Sequence, residues 1–290
     1  MYTNQFDFKG LGEFNNYKAF KFPDGSLKVI LQPGYIANMA GRVLRIDVDT
    51  KFRTNDDILL LGLLCDALQF AFEGVSIHCR IWYMMYQQDD RRFDLGESYG
   101  LKFICDILNS YPIDKFSVFH PHSDKVEFLK NCHIISNDGF VKEVLKLIPS
   151  NSIWIIPDAG ASKIQLKQSA KLAPTMDFEI AAKSRPHVQD AKLIQKINRS
   201  DFNNQPCIIF DDMCLGGATF LGLYDLLKER NAGDIYLAVS HGIFNTGIDH
   251  LIPKFKYIFT TNSITTLQPN EHLSIFDLNW NPISGTSPWL

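Results

Sequence analysis

The segment Cys207-Ile208-Ile209-Phe210-Asp211-Asp212-Met213-Cys214-Leu215-Gly216-Gly217-Ala218-Thr219-Phe220 decides how this chain is read. It runs from an apolar strand through two acids and a glycine-rich turn into the start of a helix. Parallel α/β sheets bind ligands at the carboxyl ends of their strands. A carboxylate there accepts two good hydrogen bonds from a vicinal diol such as a ribose presents. Glycines let backbone N–H groups close on a phosphate, and the helix start adds partial positive charge. Thr219 adds a hydroxyl. One short loop is therefore suited to a ribose and its 5′-phosphate together. The plain alternative is a strand-end turn with a helix cap. Gly216-Gly217 alone favours that alternative, whereas the two acids in register favour the ligand site.

Outward from this loop the pattern alternates. Strand-like runs fall at Val43–Val48, Val75–Tyr83, Phe116–Phe119, Ile153–Ile156, Cys207–Phe210, Ile235–Val239, Tyr257–Thr260 and Leu273–Phe276. Helical patterns lie between many of them. One is capped by Asn55 or Asp56 and runs to Ala71; others span Gly96–Ser110, Asp138–Leu147 and about residues 218–230. Strand–helix alternation predicts an α/β fold with mostly parallel sheets. The polar, proline-containing stretch Ile148-Pro149-Ser150-Asn151-Ser152 is the best internal boundary, giving domains over 1–148 and 149–290. The Pro/Ser/Gly-rich end, Asn281–Leu290, reads as outside the core.

Composition narrows the function. The 290 residues are 46% hydrophobic and 21% charged, which excludes a disordered or collagen-like chain. With 29 Lys+Arg against 32 Asp+Glu, the net charge of −3 argues against a general nucleic-acid partner. A polyanionic substrate would need local positive charge or metal ions. Six cysteines without a C-x-x-C pair read as structural thiols of a reducing compartment. No apolar run approaches the roughly 18 residues of a membrane span. The expectation is a cytoplasmic chain acting on small molecules, with neither nucleic acid nor membrane as partner.

Asp211-Asp212 followed by Gly217-Ala218-Thr219 resembles the phosphoribosyl-diphosphate loop of type I phosphoribosyltransferases and of ribose-phosphate pyrophosphokinases (PRPP synthetases). Other segments resemble the synthetases. Phe22-Pro23-Asp24-Gly25-Ser26 is similar to their adenine-binding Phe-x-Asp-Gly-Glu turn, and Tyr86–Arg92 to their Tyr-x-Arg-Gln-Asp-Arg-Arg segment on ATP. His120-Pro121-His122 lies where they carry a metal and nucleotide site. Pro157-Asp158-Ala159-Gly160 is similar to their Pro-Asp-x-Gly loop, and Ala182–Pro186 to the start of their catalytic loop. Ser240-His241-Gly242-Ile243-Phe244 is similar to their Thr-His-x-x-Phe strand end. The matches follow the family's order, on both sides of Pro149.

The resemblance implies two tandem phosphoribosyltransferase-like α/β domains, each a mostly parallel sheet flanked by helices, with the active site between them. It implies transfer of the β,γ-diphosphoryl group of ATP to the anomeric hydroxyl of a ribose, releasing AMP. Lys183 and Arg185 would neutralise the transferring group. Phe22, Asp24, Ser26, Gln88, Asp89, Arg91 and His122 would meet ATP. Asp158, Asp211, Asp212, Leu215, Gly216, Gly217, Ala218 and Thr219 would hold the ribose phosphate. Mg²⁺ would bridge the ATP phosphates, held by water, His122 and Asp158. A homodimer or larger homo-oligomer is also implied.

Read without the resemblance, the same residues have plainer roles. Phe22 suits a core aromatic, Asp90-Arg91-Arg92 a solvated loop with self-paired charges, and Asp158 a helix cap. The chain also departs from the family pattern. Its phosphate loop lacks the acid and one hydroxyl of Asp-Thr-Gly-Gly-Thr; Ser26 replaces a Glu; Gln88 and Asp89 stand where Arg and Gln are usual; Ala182 and Ser184 replace Asp and Arg. The stretch before Phe22 leaves little room for the family's first strand and helix. A smaller, less polar loop would suit an acceptor extended beyond its 5′-phosphate. A phage-associated branch of the family is understood to use ADP-ribose in this way, for rebuilding NAD. Ribose 5-phosphate, a phosphoribosyltransferase activity and an inactive regulatory subunit are the other readings.

Overall fold

The computed structural model describes residues 3–41, 44–157, 162–184 and 194–278. The chain divides into two compact units, Met1–Ser136 and Asn137–Leu290.

The first unit contains β1 (Thr3–Asp7), β2 (Gly12–Glu13), β3 (Tyr17–Lys21), β4 (Leu27–Leu31), α1 (Pro33–Met39), β5 (Arg45–Thr50), α2 (Asn55–Ala71), β6 (Ser76–Ile81), α3 (Gly100–Ser110), β7 (Lys115–Phe119) and β8 (Cys132–Ile135). Five strands form a parallel sheet in the order β1-β5-β6-β7-β8. Strands β2, β3 and β4 form a small antiparallel sheet. Ile46, Val48, Ile77, Cys79, Ile81, Phe116 and Val118 alternate along the parallel strands and join one core with Leu61, Leu64 and Leu68 of α2 and Leu101 and Leu108 of α3. The opposite parity is polar: Arg45 pairs with Asp47, and Arg80 forks Asp49 at 2.6 and 2.7 Å.

Three expectations change here. The stretch before Phe22 does hold a first strand, β1, in register with β5 from Thr3↔Arg45 to Asp7↔Asp49. Helix α2 is entered from Thr54 rather than Asn55 or Asp56, because Asp57 reaches back to accept the Thr54 and Arg53 N–H groups, each at 2.8 Å. Helix α3 begins at Gly100, one turn later than its apolar pattern suggested.

The second unit contains α4 (Asp138–Leu147), β9 (Ile153–Ile156), α5 (Ser162–Leu172), β10 (Phe178–Ile180), β11 (Ala182–Ser184), β12 (Ile194–Lys196), β13 (Cys207–Cys214), α6 (Ala218–Glu229), β14 (Ile235–Gly242), β15 (Tyr257–Thr261) and β16 (Leu273–Phe276). Its parallel sheet runs β10-β9-β13-β14-β15-β16. Helices cover both faces. Phe220, Leu223 and Leu227 of α6 pack against Ile209, Leu237 and Val239 on one side. Phe140, Val141 and Val144 of α4 pack with Trp154, Ile208 and Phe210 on the other.

That packing moves the domain boundary. Helix α4 belongs to the second unit, so the division falls at Ser136/Asn137 and not at 148/149. The Pro149–Ser152 stretch is a turn inside that unit, closed by Ser152 N–H on the Pro149 carbonyl at 3.0 Å. The end of the chain, Asn281–Leu290, lies outside the described residues.

Candidate active site

Strand β13 carries the candidate acceptor site. It does not stop at Phe210 but continues through both acids to Cys214, in parallel register with β14 as far as Cys214↔Gly242. Asp211 and Asp212 are half-buried on the strand. Asp211 Oδ1 accepts the Asp212 N–H at 2.9 Å, and Asp212 Oδ1 accepts the Met213 N–H at 2.8 Å. Successive strand residues point to opposite faces. A ribose touching both acids therefore lies across the strand.

Leu215, Gly216 and Gly217 alone separate β13 from α6. Gly217 sits at the N-cap with φ +80°, in the left-handed region. A Cβ there would stand 2.7 Å from Leu251 Cδ2, so both backbone and packing require glycine. Leu215 and Ala218 are exposed, Gly216 and Thr219 half-buried and Gly217 buried, so the loop rim is open to solvent. The next strand end closes on this loop. Ile243 and Phe244 donate their N–H groups to Cys214 O, Asn245 donates to Leu215 O, and His250 Nε2 lies 2.8 Å from Gly216 O. Asn245 and His250 were not singled out in the sequence; their only signal is proximity to the Ser240–Phe244 segment.

Behind the loop, His241 is fully buried with Nδ1 2.8 Å from Ser263 Oγ. The Ser263 hydroxyl donates to Ser240 O at 3.1 Å, so His241 Nδ1 is the donor of their shared bond. A Cβ on Gly242 would meet Phe244 Cε2 at 2.2 Å and Thr260 Oγ1 at 2.6 Å, so the Ser-His-Gly-Ile-Phe segment tolerates only glycine there.

In the first unit the expected ATP residues fall in two groups. Phe22–Ser26 is the tip of the β3–β4 hairpin. Asp24 Oδ1 accepts from Ser26 Oγ at 2.7 Å and Ser26 N at 3.0 Å, which holds its carboxyl below the ordinary range. Phe22 is 43% exposed, so it is no core aromatic. The second group joins the ends of β6 and β7. Gln87, buried within the Tyr86–Arg92 segment and given no role by the sequence reading, accepts the His122 N–H at 2.7 Å and donates to Met84 O at 2.6 Å. It brings His122 to the Tyr86–Arg92 segment. Gln88 is exposed. Asp89 Oδ2 takes the Gly100 N–H at 2.7 Å and so anchors the start of α3. Arg91 forks Asp90 at 2.8 and 3.2 Å, the self-pairing that the plain reading of this loop described. Hydrogen bonding from Arg91, and then from Ser123, holds the Asp90 carboxyl below the ordinary range.

Lys183 lies on β11 opposite Gln195 of β12. Arg185 and Asp158 lie outside the described residues. Among the described residues no three His, Cys, Asp or Glu converge to hold a metal ion. All six cysteines are free, and burial raises every thiol, Cys132 to about 11 and Cys214 to about 12. They are packing groups, as expected. No helix among the described residues is long and apolar enough to cross a membrane.

Two parallel sheets flanked by helices, with a two-acid strand running into a glycine loop, define an α/β protein of tandem phosphoribosyltransferase type. A solved phosphoribosylpyrophosphate synthetase from Mycobacterium smegmatis superposes with TM-score 0.78 at 15% identity, covering 95% of this chain and 94% of that one. A ribose-phosphate pyrophosphokinase of Buchnera aphidicola subsp. Schizaphis graminum is 28% identical over 234 residues, 79% of this chain and 72% of that protein. One from Pasteurella multocida is 28% identical over 230 residues, 78% of this chain and 70% of that protein. No family model matches. The chain is thus a divergent relative of the ribose-phosphate pyrophosphokinases (PRPP synthetases), similar to them in sequence over more than three quarters of its length and to a PRPP synthetase in fold.

Proposed function

We propose that this enzyme transfers the β,γ-diphosphoryl group of ATP to the anomeric hydroxyl of a ribose 5-phosphate moiety, releasing AMP. The observation that carries the reading is the β13–α6 unit, in which two half-buried carboxylates lead directly into a glycine loop at a helix start. Asp211 and Asp212 would accept from ribose hydroxyls. Backbone N–H groups from Gly216 to Thr219, with the Thr219 hydroxyl, would take the 5′-phosphate.

The nucleophile is a weak alcohol and the electrophile a polyanion, so positioning and charge neutralisation supply most of the rate. Lys183 and Arg185 would neutralise the transferring group, Arg185 as a fork on two phosphate oxygens. Phe22 would stack on adenine, with Asp24 and Ser26 beside it. Arg91 would meet phosphate, with Gln88, Asp89 and His122 around it. Bound Mg²⁺ would offset phosphate charge, with His122 and Asp158 as its protein partners. The exposed hairpin tip supports a homodimer in which Phe22 serves a neighbouring subunit. A cytoplasmic location follows from the same reading.

For the acceptor, the names of the matched relatives support ribose 5-phosphate. The open rim at Leu215 and Ala218, where the loop lacks an acid, supports a second reading with an acceptor extended beyond the phosphate, such as ADP-ribose in NAD salvage. Incubation with ATP, Mg²⁺ and each acceptor, followed by AMP measurement, separates them. AMP only with ribose 5-phosphate excludes the extended acceptor. AMP with neither contradicts the pyrophosphokinase reading.

A further inference from the structure

We infer that His250 is a positioning residue for the acceptor's phosphate. The inference rests on reading residues 211–219 as the acceptor site. Three successive carbonyls, those of Cys214, Leu215 and Gly216, are all bound by the segment from Ile243 to His250. Ile243 and Phe244 N–H reach Cys214 O at 3.0 and 3.1 Å, Asn245 N–H reaches Leu215 O at 3.2 Å, and His250 Nε2 reaches Gly216 O at 2.8 Å. A carbonyl oxygen only accepts, so His250 Nε2 carries the proton and donates.

In a trans peptide the carbonyl and the following N–H point to opposite sides. Drawing these carbonyls toward one segment turns the N–H groups of Leu215, Gly216 and Gly217 away from it. Successive N–H groups aimed the same way form an anion-binding concavity. Among the described residues nothing accepts from the N–H of Gly216, Gly217 or Ala218. These are the donors a phosphate requires.

His250 is the side-chain member of this set, and its bond fixes the Gly216–Gly217 peptide at the helix start. The same segment brings further polar groups. A Cβ built on Gly216 would stand 3.4 Å from Asn245 Oδ1 and 3.6 Å from Thr246 Oγ1. The loop lacks the acid and one hydroxyl of the family pattern, and this neighbouring segment borders it with an amide, a hydroxyl and an imidazole.

The test is calorimetric titration of the whole chain with ribose 5-phosphate and, separately, with ATP and Mg²⁺. His250→Ala should weaken ribose 5-phosphate binding about three- to tenfold, the effect of one hydrogen bond. ATP binding and the melting temperature should hold. His250→Gln, whose carboxamide still donates, should restore most of the loss. Unchanged ribose 5-phosphate binding in His250→Ala overturns the inference. So does equal weakening for ATP, a Gln variant as weak as the Ala variant, or a wild-type chain that binds neither ribose 5-phosphate nor inorganic phosphate. Failure of AMP release alongside intact, His250-dependent ribose 5-phosphate binding counts against the proposed reaction alone.

Discussion

The two units share a parallel sheet but use it differently. In the second, every residue of β9 and β14 is buried and helices cover both faces. In the first, β6 and the first four residues of β5 bury alternate side chains in the core that α2 and α3 share, and the other parity carries ion pairs. The candidate site loops differ in parallel. The β13–α6 loop is three residues, fixed by a left-handed glycine and by bonds from the next strand end. The connection from β6 to α3 covers residues 82–99, and its charged groups are already engaged: Asp90 with Arg91, Asp89 with the Gly100 N–H at the start of α3. A preorganised loop needs little reordering to bind phosphate. Arg91 must first leave Asp90.

Six substitutions sharpen or break that contrast. Lys183→Ala should lower turnover by about a hundred- to a thousandfold, the usual effect of losing charge stabilisation in phosphoryl transfer. Circular dichroism should show the fold intact, and unchanged AMP release would remove Lys183 from the mechanism.

Asp211→Asn and Asp212→Asn should each raise the acceptor KM by about ten- to a hundredfold, since a charge-assisted hydrogen bond contributes about 1.5–3 kcal/mol. The KM for ATP should stay steady. Because the acids point to opposite faces of β13, the two effects should be unequal.

Gly217→Ala should cost about 2–3 kcal/mol in urea denaturation, from left-handed strain plus the contact with Leu251. Gly25 has a similar φ of +88° but nothing within 4 Å of a built Cβ. Gly25→Ala should cost only about 1 kcal/mol. Equal costs would show that the acceptor loop is no more tightly packed than the hairpin tip.

The smallest effect belongs to Asp90. Freeing Arg91 with Asp90→Asn should lower the KM for ATP by about threefold or less, the scale of an exposed ion pair. Arg91 holds the Asp90 carboxyl below the ordinary range. Any stability from the pair is therefore present above the ordinary carboxylate pKa and lost as pH falls through the depressed one. Carboxyl NMR should show Asp90 titrating below an unpaired aspartate; an ordinary midpoint would show that the pair does not persist in solution.

Much of this architecture was legible in the sequence. Strands β9 and β16, helix α4 and the start of α6 read directly, because continuous apolar runs and apolar residues at helical spacing mark buried elements. Other features depend on tertiary contacts. Strand β13 outruns its apolar run because pairing with β14 continues through Asp211, Met213 and Cys214. Strand β1 holds its place by pairing with β5, which no local pattern announces. Helix α4 follows a proline-free stretch and precedes Pro149, so composition placed the boundary after it, while Phe140 and Val144 commit it to the second core. At the site, Asp211, Asp212 and the glycines were visible as a motif. Gln87 and His250 each make one hydrogen bond to a residue 35 or 34 positions away, and spacing alone carries no trace of those contacts.

The central claim is diphosphoryl transfer. Phosphorus NMR of wild-type chain incubated with ATP, Mg²⁺ and ribose 5-phosphate or ADP-ribose tests it most directly. AMP and a new diphosphate on C1 of the acceptor should form in equal amounts. ADP with inorganic phosphate, or unchanged ATP with both acceptors, would contradict it.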